Sequence, residues 1–163
     1  MNKNIQKAYF AGGCFWGMQY HFQKLPGVIS TRVGYMGGSI DNPNYEQVSS
    51  HSTGHAESLE IVFDQKIISY EKLTKYFFEI HDPTQVSRQG PDIGSQYRSV
   101  IFYTNQEQKN TAQKLINILT KKGYKVVTEL EPASTFWEAE KQHQNYYLKN
   151  NSTPYCHLYT KRF

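Results

Sequence analysis

The sequence predicts an α+β fold in which helices cover one sheet in two layers. Short apolar or alternating segments, typical of strands, are interleaved with segments in which apolar residues recur every three or four positions, typical of helices. Their order is βαβ, loop, βα, loop, βαβα and a tail, which suits helices packed on one sheet. The length of 163 residues fits one domain. A chain of this size buries about two thirds of its unfolded surface without disulfides or metal.

The first half of the chain contains the clearest periodic patterns. An apolar run predicts a strand over 8–11, and a helical pattern over 14–25 ends at Pro26. A second strand is expected over 28–35. Strict alternation of apolar and polar residues predicts a third strand over 56–64.

The next elements are recognised by their capping residues. Ser69 precedes a helical pattern that must end before Pro83, because proline disfavours helix in the residue before it. A strand is expected over 98–103. Asn105 then begins a helix that ends at Gly123.

The last part of the chain is less regular. A strand is expected over 125–130, and the spacing of Thr135 and Glu138 resembles a capping box for a final helix through Tyr147. The tail over 149–163 has no periodicity, and we expect it to be mobile.

Two long segments, 36–53 and 82–96, also lack periodicity. Long ordered loops in compact domains often carry functional residues. Tyr45 and Tyr97, in or beside these segments, are therefore candidates for a site, although most of the thirteen tyrosines are expected to pack. His55 and His81 are expected to hold the loops by hydrogen bonds.

Composition narrows the functional classes. The net charge of +4 is mild and its basic residues are scattered, which argues against a nucleic-acid groove. No apolar run approaches the roughly 20 residues that cross a bilayer. The polar start carries no secretory pattern, and the cysteines at 14 and 156 are far apart, so we expect a reducing, cytoplasmic setting and a redox role for the cysteine pair.

Cys14 is the best candidate for a reactive group. It follows Gly12 and Gly13, which leave the sulfur approachable, and it precedes a helix whose first turn favours a thiolate. Phe15 and Trp16 beside it offer an apolar wall for a methyl or thioether group.

Glu57 is the second informative position. Alternation places it on the same strand face as Leu59, Ile61 and Phe63, at the end of an apolar row. Desolvation raises the pKa of a carboxyl there, so Glu57 would stay protonated near neutral pH and donate a proton. Alternation alone leaves open a solvated strand end.

The two cysteines are also compatible with other functions. A thiol that forms a disulfide also suits a thiol peroxidase or a regulatory redox sensor. Pairs such as Cys14 with His21 or Cys156 with His157 lack the spacing of a structural zinc site. We therefore expect no metal and no cofactor.

The motif around Cys14 resembles the active-site signature of the A-type peptide methionine sulfoxide reductases. Further similar segments follow in the family's order along nearly the whole chain: 34–38, 42–45, 53–57, 81–84, 88–94 and 96–99. The resemblance implies a ferredoxin-like core with a mixed sheet and extensions, in a single catalytic domain over 1–163. It also implies reduction of methionine S-sulfoxide, free or in proteins, as a monomer recycled by thioredoxin.

The resemblance assigns roles to individual residues. Cys14 would attack the sulfoxide sulfur and Glu57 would protonate its oxygen. The remaining positions would be Tyr45 and Tyr97 as hydroxyl donors, Phe15 and Trp16 around the methyl group, Asp92 as a substrate-orienting group, and Cys156 as the thiol that resolves the sulfenic acid.

The chain departs from the family pattern at several positions. Ser49 and His51 occupy places where relatives often have cysteine and glycine, so no third redox thiol is available. Ser87 occupies a place where asparagine is frequent. Pro154 and Tyr155 precede Cys156 where relatives often have glycine and tyrosine.

Overall fold

The computed structural model describes residues 3–155 and 157–163 and contains one main sheet with helices. The longer strands are β1 (Ile5–Gly12), β2 (Val28–Met36), β3 (Ala56–Asp64), β6 (Ser99–Tyr103) and β7 (Glu129–Pro132). Shorter strands are β4 (Arg88–Gln89), β5 (Asp92–Ile93) and β8 (Trp137–Glu138). The helices are α1 (Phe15–Phe22), α2 (Tyr45–Ser49), α3 (Tyr70–Glu79), α4 (Gln106–Lys121) and α5 (Tyr146–Lys149), with 3-10 turns at Ser95–Tyr97 and Lys141–His143.

The main sheet has the strand order β7-β6-β1-β3-β2-β8. Strands β6 and β7 pair in parallel, and the other neighbours pair antiparallel. The predicted α+β fold with a mixed sheet and an irregular tail is thereby confirmed. Strand β3 lies between β1 and β2, and Tyr35 of β2 is directly opposite Glu57 of β3.

The two faces of the sheet carry separate hydrophobic clusters. The larger cluster joins α1, α3 and α4 to the sheet and includes Phe10, Phe15, Leu59, Phe77 and Leu115. Neighbouring strand residues point to opposite faces, and the smaller cluster lies on the other side. It consists of Ala11, Met36, Ala56, Val100 and Phe102.

The predicted caps of two helices are confirmed. The Ser69 hydroxyl accepts a hydrogen bond from the Lys72 amide at 3.0 Å, which begins α3. The Asn105 side chain accepts one from the Gln108 amide at 2.8 Å, which begins α4. Each side chain therefore satisfies an amide that the helix itself leaves without a partner.

Three segments differ from the sequence expectation in their bounds. The helix expected over 14–25 covers only Phe15–Phe22, with Cys14 as its N-cap. The loops expected over 36–53 and 82–96 contain the short helix α2 and the β4–β5 hairpin.

The strand expected over 125–130 begins late, at Glu129. Parallel pairing with β6 starts where Val100 is opposite Glu129. Before that point the Val127 amide donates to the Pro83 carbonyl at 2.8 Å, so this segment contacts the loop instead of the sheet.

The prediction of a helix over 135–147 was wrong. Trp137 and Glu138 pair with Tyr35 and Gly34 at the edge of β2 instead. The Gln144 side chain extends this pairing, because its amide bonds both the N–H and the carbonyl of Val33 at 2.9 Å. Satisfying the open edge of β2 outweighs a local capping pattern.

Candidate active site

Cys14 lies at the junction between strand β1 and helix α1. It is the N-cap residue of α1 and is only 6% exposed. The turn depends on Gly13, whose φ of 93° favours glycine, and a Cβ there would lie 2.7 Å from Gln89. Helix α1 buries Phe15, Met18 and Phe22 in the core, so the position of Cys14 is set by the core packing.

Glu57 is buried beside the start of helix α1. Its Oε1 accepts a hydrogen bond from the Phe15 amide at 3.2 Å, and its Oε2 has no partner among the described residues. Burial raises the pKa of Glu57 to about 8, and the negative charge of Asp92 adds to this, whereas the Phe15 amide opposes it. The carboxyl is therefore mostly protonated at neutral pH.

Tyr45 and Tyr97 meet at this carboxyl from the two long loops. Burial, followed by the charge of Glu57, raises the pKa of each phenol, and Cys14 also acts on both. The side chains of Ser49 and Tyr97 act in the opposite direction and lower the pKa of Tyr45. Phenols with raised pKa values stay protonated and remain hydrogen-bond donors.

Asp92 completes the group of predicted site residues. Its charge acts on Glu57 and Tyr97, which places it near both. It also accepts hydrogen bonds from the Tyr155 hydroxyl at 2.8 and 3.1 Å. The structure thus brings Cys14 and Glu57 together with both tyrosines and Asp92, whereas Cys156 lies outside the described residues.

Phe15 and Trp16, which form the predicted aromatic wall, differ in their contacts. Phe15 is fully buried and packs on Tyr35. Trp16 stacks on Tyr146 at 3.7 Å between ring centroids, and its indole N–H donates to Nδ1 of His143 at 3.0 Å. The Trp16 ring is therefore held both by stacking and by a hydrogen bond.

Sequence reasoning missed the residues that support this wall. Glu140 accepts hydrogen bonds from the Tyr35 hydroxyl at 3.1 Å and from the Tyr45 amide at 3.0 Å. His143 stacks on Tyr45 at 4.4 Å. The sequence does contain one sign that this segment is not a helix. Residues 140–146 lack the apolar stripe that a helix packed on a core needs.

The departures from the family pattern have a backbone explanation at two positions. His51 and Ser87 adopt φ values of 65° and 48°, the region that favours glycine and asparagine. His51 also bonds the Gln96 side chain at 2.5 Å and so links the two long loops. The loop-holding role expected for His55 is confirmed, because His55 bonds Gly38 and Ile40. His81 instead bonds Phe77 in α3 and Ser99 in β6.

Within residues 3–155 and 157–163, no three histidine, cysteine, aspartate or glutamate side chains come together as ligands for a metal ion. None of the helices in this part of the chain combines the length and the apolar character that crossing a membrane requires.

Comparison with known proteins identifies similar sequences and structures. Residues 6–163 match the family described as peptide methionine sulfoxide reductase. The chain is 54% identical over 152 residues to a peptide methionine sulfoxide reductase MsrA from Nautilia profundicola, covering 93% of this chain and 88% of the relative. It is 48% identical to the MsrA of Saccharolobus solfataricus, covering 94% and 88%.

Solved structures with this fold include yeast relatives. The reduced form of Mxr1 from Saccharomyces cerevisiae superposes with a TM-score of 0.90 at 32% identity, covering 100% of this chain and 95% of that one. Mxr1 in complex with Trx2 gives a TM-score of 0.66 at 26% identity, covering 98% and 92%.

Proposed function

The chain belongs to the peptide methionine sulfoxide reductase family, and from this premise we propose how it reduces methionine S-sulfoxide, free or in proteins. Cys14 is the nucleophile and Glu57 is the general acid. The observation that carries this proposal is the buried Oε2 of Glu57, which lacks a partner among the described residues while Oε1 is held by the amide next to Cys14. Oε2 is therefore the oxygen that carries the proton, because Oε1 already accepts from an amide.

In the first step the thiolate of Cys14 attacks the sulfoxide sulfur. The sulfur–oxygen bond breaks, the oxygen passes to Cys14 as a sulfenic acid, and methionine is released. The proton that the oxygen needs comes from Glu57, which becomes a carboxylate. Sulfoxide sulfur is reduced and the cysteine sulfur is oxidised, so the electrons balance.

The surrounding residues orient the substrate. The hydroxyls of Tyr45 and Tyr97 donate hydrogen bonds to the sulfoxide oxygen, on which negative charge develops. Trp16 and Phe15 enclose the methyl group, and Asp92 binds a polar group of the substrate. The proposed preference for the S epimer rests on the family resemblance.

Recycling uses the second cysteine. The thiol of Cys156 attacks the sulfenic acid on Cys14, a disulfide forms, and the oxygen leaves as water. A dithiol of the thioredoxin type then reduces the disulfide. The solved complex of the similar protein Mxr1 with Trx2 supports such a reductant. In this role the enzyme, acting as a cytoplasmic monomer, repairs oxidised methionine in proteins.

The decisive experiment is single turnover with a peptide that contains methionine S-sulfoxide, followed by methionine release. Cys14→Ser should release none, because a hydroxyl is neither ionised nor sufficiently nucleophilic at neutral pH. Methionine formation by this variant would overturn the mechanism. The R epimer is the substrate control and should not react with the wild-type enzyme.

Cys156→Ser separates the chemistry from recycling. It should release about one equivalent of methionine and then stop with a trappable sulfenic acid on Cys14. Normal turnover of this variant with thioredoxin would show that Cys156 has no part in recycling.

A further inference from the structure

The imidazole of His157 is buried against the segment that holds Cys14. The residue is 1% exposed, and its Nε2 bonds the Gly12 carbonyl at 2.7 Å. A carbonyl only accepts, so Nε2 carries the proton. The His157 carbonyl in turn accepts a hydrogen bond from Nε2 of His21, in the last turn of α1, at 2.8 Å. The side chain and the backbone of His157 are therefore both hydrogen bonded to the segment 12–21, which contains Cys14.

Gly17 makes room for this ring. A Cβ at Gly17 would overlap Nδ1 of His157 and would lie 3.0 Å from Cε1. The glycine on the first turns of α1 is thus explained by contact with the tail, since Gly17 lies inside a helix and is not needed for a turn. Burial lowers the pKa of His157 to about 4, so the ring is neutral where the enzyme works.

The tail has different contacts on the two sides of His157. Beyond His157 it is tied to the end of α3, because the Thr160 amide donates to the Glu79 carbonyl and the Arg162 Nε donates to the Phe78 carbonyl, both at 2.7 Å. Before it, residues 150–153 are exposed, and the Tyr155 hydroxyl donates hydrogen bonds to Asp92 at 2.8 and 3.1 Å. His157 is therefore the first anchored residue after the resolving cysteine in the sequence.

We propose that His157 is a positioning residue for disulfide formation. Its anchoring restricts the chain directly after Cys156 in the sequence, so that attack on the sulfenic acid proceeds at a high effective concentration. This inference rests on the proposed recycling role of Cys156. His157 itself takes no part in bond making: Cys156 loses its thiol proton, the sulfur–sulfur bond forms, and the sulfenic oxygen leaves as water.

The test measures the two steps of one turnover separately in the full chain. Methionine release reports the attack of Cys14, and loss of sulfenic acid with gain of the Cys14–Cys156 disulfide reports resolution. His157→Ala should leave methionine release within about twofold and slow disulfide formation about tenfold or more. The matched control is Leu158→Ala, since Leu158 is the next residue and is 73% exposed. It should change neither rate.

A second variant disturbs the same contact from the other side. Gly17→Ala places a methyl group where the His157 ring lies, so it should also slow disulfide formation. The double variant should be no slower than the worse single variant, because both remove one interaction. If His157→Ala is too unstable to purify, Gly17→Ala alone tests the contact: disulfide formation at the wild-type rate in this variant would overturn the positioning role.

The outcomes separate this inference from the proposed function. If Cys156→Ser recycles normally with thioredoxin, the proposed recycling role of Cys156 and the positioning role of His157 are both overturned. If Cys156→Ser stalls while His157→Ala forms its disulfide at the wild-type rate or faster, only the positioning role is overturned. Equal slowing of methionine release and disulfide formation by His157→Ala would also overturn it, because that result indicates general damage to the fold.

Discussion

Glu57 and Glu60 lie on the same strand, β3, and are 1% and 3% exposed, yet their carboxyls differ in charge. Glu57 faces the helix layer, where burial raises its pKa to about 8 and one backbone amide is its bonded partner. Glu60 faces the opposite side. Burial alone would raise its pKa too, but hydrogen bonds from Arg32 and Tyr9 lower the pKa below its ordinary value.

The difference shows that burial alone does not determine a carboxyl's role. Arg32 Nε lies 2.7 Å from Glu60, the Tyr9 hydroxyl lies 2.9 Å away, and Lys7 lies 3.8 Å away. These partners stabilise a carboxylate and make Glu60 structural. Around Glu57 the neighbours are the phenols of Tyr45 and Tyr97 and the negative charge of Asp92, which favour the neutral acid and suit catalysis.

The largest expected effect is that of Glu57→Gln on activity. The amide keeps the shape but has no proton to transfer, so single-turnover methionine release should fall about 10²- to 10⁴-fold, the usual range for general acid catalysis. Rapid-quench measurement of methionine checks this. Glu60→Gln is the matched control on the same strand and should change the rate less than about twofold. A loss of less than about threefold in Glu57→Gln would make Glu57 structural as well.

The second prediction concerns pH. Because the pKa of Glu57 is about 8, the acid loses its proton as pH rises through this value. The rate of methionine release should then fall about tenfold per pH unit above about pH 8, and the fall should be absent in Glu57→Gln. Single-turnover rates between about pH 6 and 10 measure this. An equal decline in both proteins would assign the titration to another group.

The smallest effects are on stability, and they should have opposite signs. The pKa of Glu57 is higher in the folded protein than its ordinary value of 4.5, so the folded state binds the proton more tightly and the free energy of unfolding falls as pH rises from 4.5 to about 8. Glu57→Gln removes this loss and should stabilise the protein by about 1–3 kcal/mol at pH 7.

Glu60→Gln should destabilise the protein by about 1–2 kcal/mol, because it removes the charge that Arg32 and Tyr9 bond. Its folded pKa is lowered, so the stability that Glu60 contributes is present above its ordinary pKa and is lost as pH falls through the lowered value. Urea unfolding of both variants at several pH values checks the two signs. Destabilisation by both would remove the distinction between the carboxyls.

Part of this comparison could be predicted from the sequence. Alternation along β3 placed Glu57 on the apolar face of the strand, and the patterns on either side of Cys14 indicated a junction between a strand and a helix. Ser69 and Asn105 were recognisable as caps because the bonds they make are local. The segment 135–147 could not be assigned in this way, since its capping pattern competes with the edge of β2, far away in the chain.

The sequence by itself determined features that arise within a few residues: the strand-to-helix junction at Cys14, the face of Glu57, the helix caps and the irregular tail. Tertiary structure decided which carboxyl keeps its proton, because Arg32 and Tyr9 reach Glu60 from other strands and not Glu57. It also decided that His157 packs on Gly17 and that Glu140 and His143 support Tyr45. These contacts join distant parts of the chain, and local periodicity carries no information about them.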